Sequence, residues 1–309
     1  MAGWGIAEWF GHDVLTMSAD ERKGSAERAL ASQKLGLTLA PQPDCPFLSS
    51  IKPNSPCTKK GGVCSIRQYT GSAPAEAVDA QPTTLCPNRF LEYREEETIF
   101  GYISRELLGS PTGSKVIKEI PFLQKEMLDG SDRGAKAGRI DWIVVTDAGA
   151  ATGDLPWIAI ETQGVYFSGD SMWLDIEDYL ANSHEVRSPV GKRRPDYRSS
   201  GAKRLSPQLA AKAPVMNRWG RKVVVIVDEA FFSEMGALTE TTDFDNSEIV
   251  WIVVRYEEGM VLKVIQTRYA ELAPSLAALQ AAKPVLKSVF EADLRSALSV
   301  NRAGKVFTV

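Results

Sequence analysis

Six apolar runs of strand length, three before a stretch of helical sequence and three after it, limit this chain to a mixed α/β domain. They are "KVIKEIPFL" (115–123), "RIDWIVVT" (139–146), "WIAIETQGV" (157–165), "RKVVVIVD" (221–228), "EIVWIVVRY" (248–256) and "MVLKVIQTRY" (260–269). The last two predict a hairpin around Glu257–Gly259. Residues 1–44 read as mostly helical, clearest in "MSADERKGSAERALASQKLG", with Ser18 as N-cap, Glu21 three residues on and Gly36 as stop. A second helix is expected over 91–109, ending at Gly109, and a third around 170–180. Ser206 and Pro207 look like the cap and first position of another, which Pro214 would kink or split. The C-terminal "SLAALQAAKPVLKSVFEADLRSAL" is amphipathic, with a break near Pro284.

At 309 residues, with 44% hydrophobic and 24% charged residues, the chain has ample material for a buried core in one large domain or two. No apolar run approaches the length of a membrane span, and "MAGWGIAEWFGHD" lacks the basic start and apolar core of a signal peptide. A cytoplasmic protein with no membrane association is expected. We place a boundary near residue 90, with an N-terminal helical segment and cysteine module over 1–90 and the main domain over 91–309.

All four cysteines, Cys45, Cys57, Cys64 and Cys86, fall in a segment rich in Pro, Gly, Ser and Asn that has too few apolar residues for a core of its own. A reducing cytoplasm disfavours disulfides. Four thiolates suit a tetrahedral metal site that supplies the missing folding energy, and both zinc and iron accept that shell. The spacings are not those of paired knuckles, and unrelated buried thiols are the alternative.

In "WIAIETQGV", Glu161 and Gln163 stand two apart, so on a strand they point to one face, where each is costly without a partner. Asp141 lies in the preceding apolar strand. A carboxylate on one strand and an E-x-polar pair on the next is the arrangement of a PD-(D/E)XK nuclease core. There, two carboxylates hold Mg²⁺, which activates a water and offsets charge on the scissile phosphate. A third group, often Lys and here Gln163, positions the water. A salt-bridged or capped pair is the bland alternative. Glu119 is a further candidate ligand, with Glu96 and Glu97 behind it. His12 and His184 are too few and too isolated for a histidine-based nuclease.

The net charge of −3 hides an asymmetry. Between Arg187 and Lys222 eleven Lys or Arg face one acid, Asp196, so this segment carries +10 and the rest of the chain −13. Such a block is the footprint of a polyanion site, or a solvated loop. Lys192, Arg193, Arg194, Arg198, Lys203 and Arg204 are the candidate DNA contacts, with Arg193, Arg194 and Arg198 as candidate base readers.

Taken in order, "EWFGHDV" (8–14), "CPFL" (45–48), "CTKKGGVCS" (57–65), "CPNRF" (86–90), "RIDWIVV", "WIAIETQGVYFSG" and "DFDNSEIVWIVVRYE" (243–257) resemble NotI-like restriction endonucleases, including an E-x-Q in place of E-x-K. The resemblance covers about residues 6–270. It implies a type II restriction endonuclease that hydrolyses double-stranded DNA at a specific site. Asp141 and Glu161 would be the Mg²⁺ ligands and Gln163 the third catalytic group. The four cysteines would hold a structural iron, and a homodimer would cut both strands. A cysteine-module DNA-binding protein without nuclease activity, and a nonspecific or modification-dependent nuclease of the same fold, are the competing readings.

Overall fold

In the computed structural model, residues 2–35, 42–71, 74–110, 113–124, 136–146, 155–281 and 285–300 are described. The chain runs β1 (Gly3–Trp9), β2 (His12–Asp13), α1 (Ala19–Leu35), α2 (Pro46–Ser49), β3 (Val63–Thr70), β4 (Glu76–Ala77), β5 (Thr83–Thr84) and α3 (Ile99–Leu108). It continues with β6 (Lys115–Gln124), β7 (Lys136–Val145), β8 (Trp157–Thr162), β9 (Tyr166–Gly169), α4 (Trp173–Ala181), β10 (Arg193–Asp196), α5 (Tyr197–Ser200) and α6 (Ser206–Arg218). It ends with β11 (Val223–Asp228), α7 (Glu229–Ser233), β12 (Ile249–Tyr256), β13 (Leu262–Ala270), α8 (Leu272–Gln280) and α9 (Lys287–Val300).

The architecture is mixed α/β, built on a six-stranded sheet in the order β13-β12-β11-β8-β7-β6. β8, β11 and β12 pair in parallel at the centre, flanked by antiparallel partners on both sides. The central strands are the near-continuous apolar runs of the sequence because both of their faces are covered: every residue of β11 is buried. β12 and β13 form the expected antiparallel hairpin.

Three helical expectations need correction. Residues 3–9 form a strand paired antiparallel to β3, in a second sheet of order β2-β1-β3-β4 with β5 on β3. The helix expected from residue 91 begins only at Ile99, where Thr98 caps it by accepting from Gly101 N–H at 3.0 Å. Its start is delayed because Glu92 is drawn inward to buried Arg89 (2.8 Å) and accepts the Leu262 N–H (3.0 Å). Its end is as expected, at a left-handed Gly109 (φ 64°). Ser206 is no cap, since helix is continuous from Tyr197 through a π turn at 201–205 into α6, and Pro214 rides inside α6 without splitting it. The π turn lies immediately before Pro207, which has no N–H to give the turn behind it. Gly36 and Pro284 lie outside the described residues.

The two sheets share one core. A continuous cluster of buried apolar side chains runs from Ile6, Trp9, Phe47 and Ile66 across to Ile160, Val225 and Trp251. At the junction Arg89 is fully buried and held by Glu8 (2.8 Å) and Glu92 (2.8 Å), so two acids and a guanidinium bind the N-terminal sheet to the rest of the chain. Losing one member would leave an uncompensated buried charge. Among the described residues no helix is long and apolar enough to cross a membrane.

Candidate active site

β7 and β8 run antiparallel with Trp142 opposite Ile160, and one step along this register sets Asp141 opposite Glu161. The two acids face the same way and exchange backbone contacts. Asp141 N–H donates to Glu161 Oε1 (3.3 Å), and Thr162 N–H to Asp141 Oδ2 (3.3 Å). Glu161 is 1% exposed. Burial pushes its carboxyl up to about 7, helped by the neighbouring Asp141 and opposed by Lys212. Burial raises Asp141 as well, with Lys212 and hydrogen bonds from Thr162 pulling the other way. Side-by-side acids that resist ionisation form a site short of positive charge, which suits a hard cation with oxygen ligands.

One cation is already there. Lys212, on α6, is buried; its Nζ donates to Glu161 Oε2 at 2.5 Å and to Gln208 Oε1 at 3.1 Å. In the sequence it was one basic residue of eleven. The available signal was its place among Leu209, Ala213 and Met216, the buried stripe of α6. What the sequence did not carry was that this stripe crosses β8 at Glu161.

Gln163 follows β8 and faces a cavity of about 420 Å³ bordered by Lys59, Pro87, Asp141, Tyr166, Arg204 and Gln208. Its backbone N–H extends the strand pairing to Ile226 O (3.1 Å), while its side-chain amide donates to Gly164 O. Glu119 sits on β6 with a left-handed backbone (φ 57°), an unusual conformation for Glu inside a strand. It borders a second hollow with Asp141, Trp142, Lys59 and Asn88, and its charge also raises Asp141. Its carboxylate is half exposed and pairs with Arg139 (3.2 Å) and Lys118 (3.6 Å). Glu97 pairs with Arg105 at the surface (2.7 Å), and Glu96, His12 and His184 are exposed away from the acid pair.

The cysteine segment forms the facing wall. Val165 N–H donates to Thr84 O (2.7 Å), and a Cβ on Gly164 would stand 2.7 Å from Leu85 O, so only glycine lets the end of β8 pass beneath this segment. Lys59 reaches over from the segment and donates to Leu85 O (3.0 Å). All four cysteines are buried and free. Cys57 feels the charges of Cys45 and Cys86, and Cys64 those of Cys86 and Cys57, so the thiols are neighbours. Burial pushes Cys57 up to about 11 and raises Cys64 and Cys86 too, while Lys59 lowers Cys57 and Cys86. Among the described residues, no three His, Cys, Asp or Glu side chains stand at the spacing of a closed metal shell. In kind, four soft sulfur donors suit iron or zinc, although their side chains are not drawn together into a tetrahedral shell here.

The basic segment divides in two. Arg193 is fully buried, paired with Asp175 (2.5 Å) and donating to Trp4 O (3.0 Å) and Ser171 O (2.8 Å). The expected DNA contact at Arg193 is therefore corrected: its guanidinium is spent inside the fold. Lys192, Arg194, Arg198, Lys203 and Arg204 are exposed. Arg204 lies 3.6 Å over the ring of Tyr166, at the mouth of the acid cavity.

The site is thus a mixed sheet carrying two adjacent acids, one of them bordering a cavity with Lys59 and Arg204 at its rim and the cysteine segment as its wall. Residues 30–269 match the family model described as Restriction endonuclease NotI. That span is well over half of the chain and includes the cysteines and both acids, and the chain belongs to this family of restriction endonucleases. No curated protein sequence matches it.

Proposed function

We propose that the chain is a Mg²⁺-dependent type II restriction endonuclease with a PD-(D/E)XK core, hydrolysing phosphodiester bonds of double-stranded DNA at a specific sequence. The observation that carries this reading is the Asp141–Glu161 pair, set side by side on β7 and β8, with Asp141 bordering a cation-rimmed cavity. The two oxygen donors fit Mg²⁺, with Asp141 and Glu161 as its holders and Glu119, which borders a hollow with Asp141, as the candidate third carboxylate. When bound, the ion supplies the charge that activates a water and stabilises the leaving oxygen. Gln163 orients the water by hydrogen bonding and cannot take its proton. Lys59 and Arg204 hold the DNA backbone at the mouth, and Tyr166 keeps the Arg204 guanidinium flat against its ring. Arg194, Arg198, Lys192 and Lys203 extend the same charge outward, with Arg194 and Arg198 as the proposed base readers.

The four cysteines we read as a structural metal module, iron first and zinc as the alternative. Its task is to fix the loop 84–88 and Lys59 as the wall of the cleft. A homodimer matches the symmetry of a palindromic site. In support, α9 leaves Leu286, Phe290, Leu294 and Leu298 exposed by 48% or more along one stripe. The test is digestion of a long, defined DNA with and without Mg²⁺. Discrete fragments that appear only with the ion, and share one sequence at their ends, are expected. A smear would mean nonspecific cutting, and DNA that is bound but uncut would mean a binding protein.

A further inference from the structure

We propose that Lys212 is a positioning residue for the cutting reaction. In this reading the fixed ammonium that Gln163 cannot supply from β8 enters instead from α6, behind Glu161. The inference rests on the nuclease reading above and deepens it.

Lys212 lies on the side of α6 that carries Leu209, Ala213 and Met216, where an apolar residue would satisfy the helix at no electrostatic penalty. Burying an ammonium costs several kcal/mol before any partner is counted, and a buried ion pair is often no better for stability than a well-packed apolar residue of similar volume. Packing of α6 alone asks for no charge at this position. The acid pair does. Lys212 Nζ grips Glu161 Oε2 at 2.5 Å while the other oxygen takes the Asp141 N–H at 3.3 Å, so the carboxylate is held from two sides in one orientation. Gln208, one helical turn before Lys212, accepts a second bond from the ammonium (3.1 Å) and itself borders the cavity. The positive charge is thereby fixed behind the acids and joined to the cleft wall. Gln163, turned to Gly164 O, contributes no charge. Such a fixed cation acts on the charge that develops at phosphorus without having to reorganise during the reaction.

The experiment compares wild type, Lys212→Met, Lys212→Arg and the double variant Lys212→Met with Gln163→Lys, which returns an ammonium to the cleft from β8. Three quantities are read: melting temperature, binding of a duplex carrying the mapped site by mobility shift in Ca²⁺, and single-turnover cutting in Mg²⁺ at saturating enzyme. Lys212→Met leaves buried Glu161 without its partner, so it is expected to melt below wild type while binding the duplex within about threefold of it. Its cutting should be slower by about 100-fold or more, the size of effect seen when a preorganised donor is removed. Lys212→Arg should keep part of the rate, and the double variant should cut at least tenfold faster than Lys212→Met. Lys212→Met cutting within threefold of wild type would overturn the proposal. So would a slow Lys212→Met that neither Arg nor the relocated lysine improves, since the role would then be packing. If Lys212→Met fails to fold, Lys212→Gln takes its place in the same comparison. Wild type that leaves DNA uncut would instead count against the nuclease reading itself.

Discussion

At the scale of residues, the site is held in a costly state. Glu161 carries a carboxyl raised from 4.5 to about 7 by burial and by Asp141. An acid raised on folding stabilises the fold in its protonated form; that contribution is full below about pH 4.5 and is lost as the pH climbs through about 7. The metal-free protein should therefore melt lower at about pH 8 than at about pH 6, and Mg²⁺ should raise the melting temperature more at the higher pH. Thermal melts at both values, with and without the ion, check this. A Mg²⁺ increment independent of pH would disconnect the ion from the acid pair. Arg193 offers the opposite lesson. Arg193→Ala strands Asp175 and should cost about 3–5 kcal/mol of stability. Arg198→Ala or Lys203→Ala should leave the melt unchanged, weaken DNA binding and lower the salt slope by about 1. Chemical denaturation and salt titrations separate the two classes.

At the scale of elements, the cysteine segment and β8 act together. Gly164→Ala must push the backbone of Leu85 away and should cost about 1–3 kcal/mol, with cutting reduced because the cleft wall shifts. If the cysteines hold the proposed metal, treatment with a chelator, or Cys64→Ser, should lower the melting temperature and abolish cutting even in excess Mg²⁺. Metal analysis of the purified chain, read against its melt and its rate, decides this. What could be read from sequence divides along physical lines. The central strands were legible because a strand covered on both faces must be apolar along its length, as in "VVVIVD" and "IVWIVV". The start of α3 was not, because Glu92 answers to Arg89 and Leu262, which a local pattern does not reveal. Strand β1 was missed because its glycines and its buried Glu8 hide a core strand whose partner, β3, lies some sixty residues on. Asp141, Glu161 and Gln163 stand out in the sequence through their place in apolar strands. Lys212 does not, since only tertiary structure lays α6 across β8.

At the scale of the whole molecule, charge and architecture point the same way. The chain carries −3 overall, yet its basic segment carries +10. Part of that segment is folded inward at Arg193, Lys212 and Arg187, the last paired with Asp178 (2.8 Å). Of the remainder, Arg204 borders the acid cavity, Lys192, Arg194, Arg198 and Lys203 lie on or next to β10, α5 and the π turn, and Arg218, Arg221 and Lys222 lie at or just beyond the C-terminal end of α6. An acidic body with one basic mouth orients a polyanion toward the cleft, and that attraction should fade steeply with salt. The central claim is that Asp141 and Glu161 form the centre that cuts DNA. Its most direct test is Glu161→Ala beside wild type on one defined DNA, scored for both cutting in Mg²⁺ and binding. The account predicts that the variant binds the same site and leaves both strands intact while wild type yields discrete fragments. A variant that cuts like wild type would contradict it, because the chemistry would then lie elsewhere in the fold.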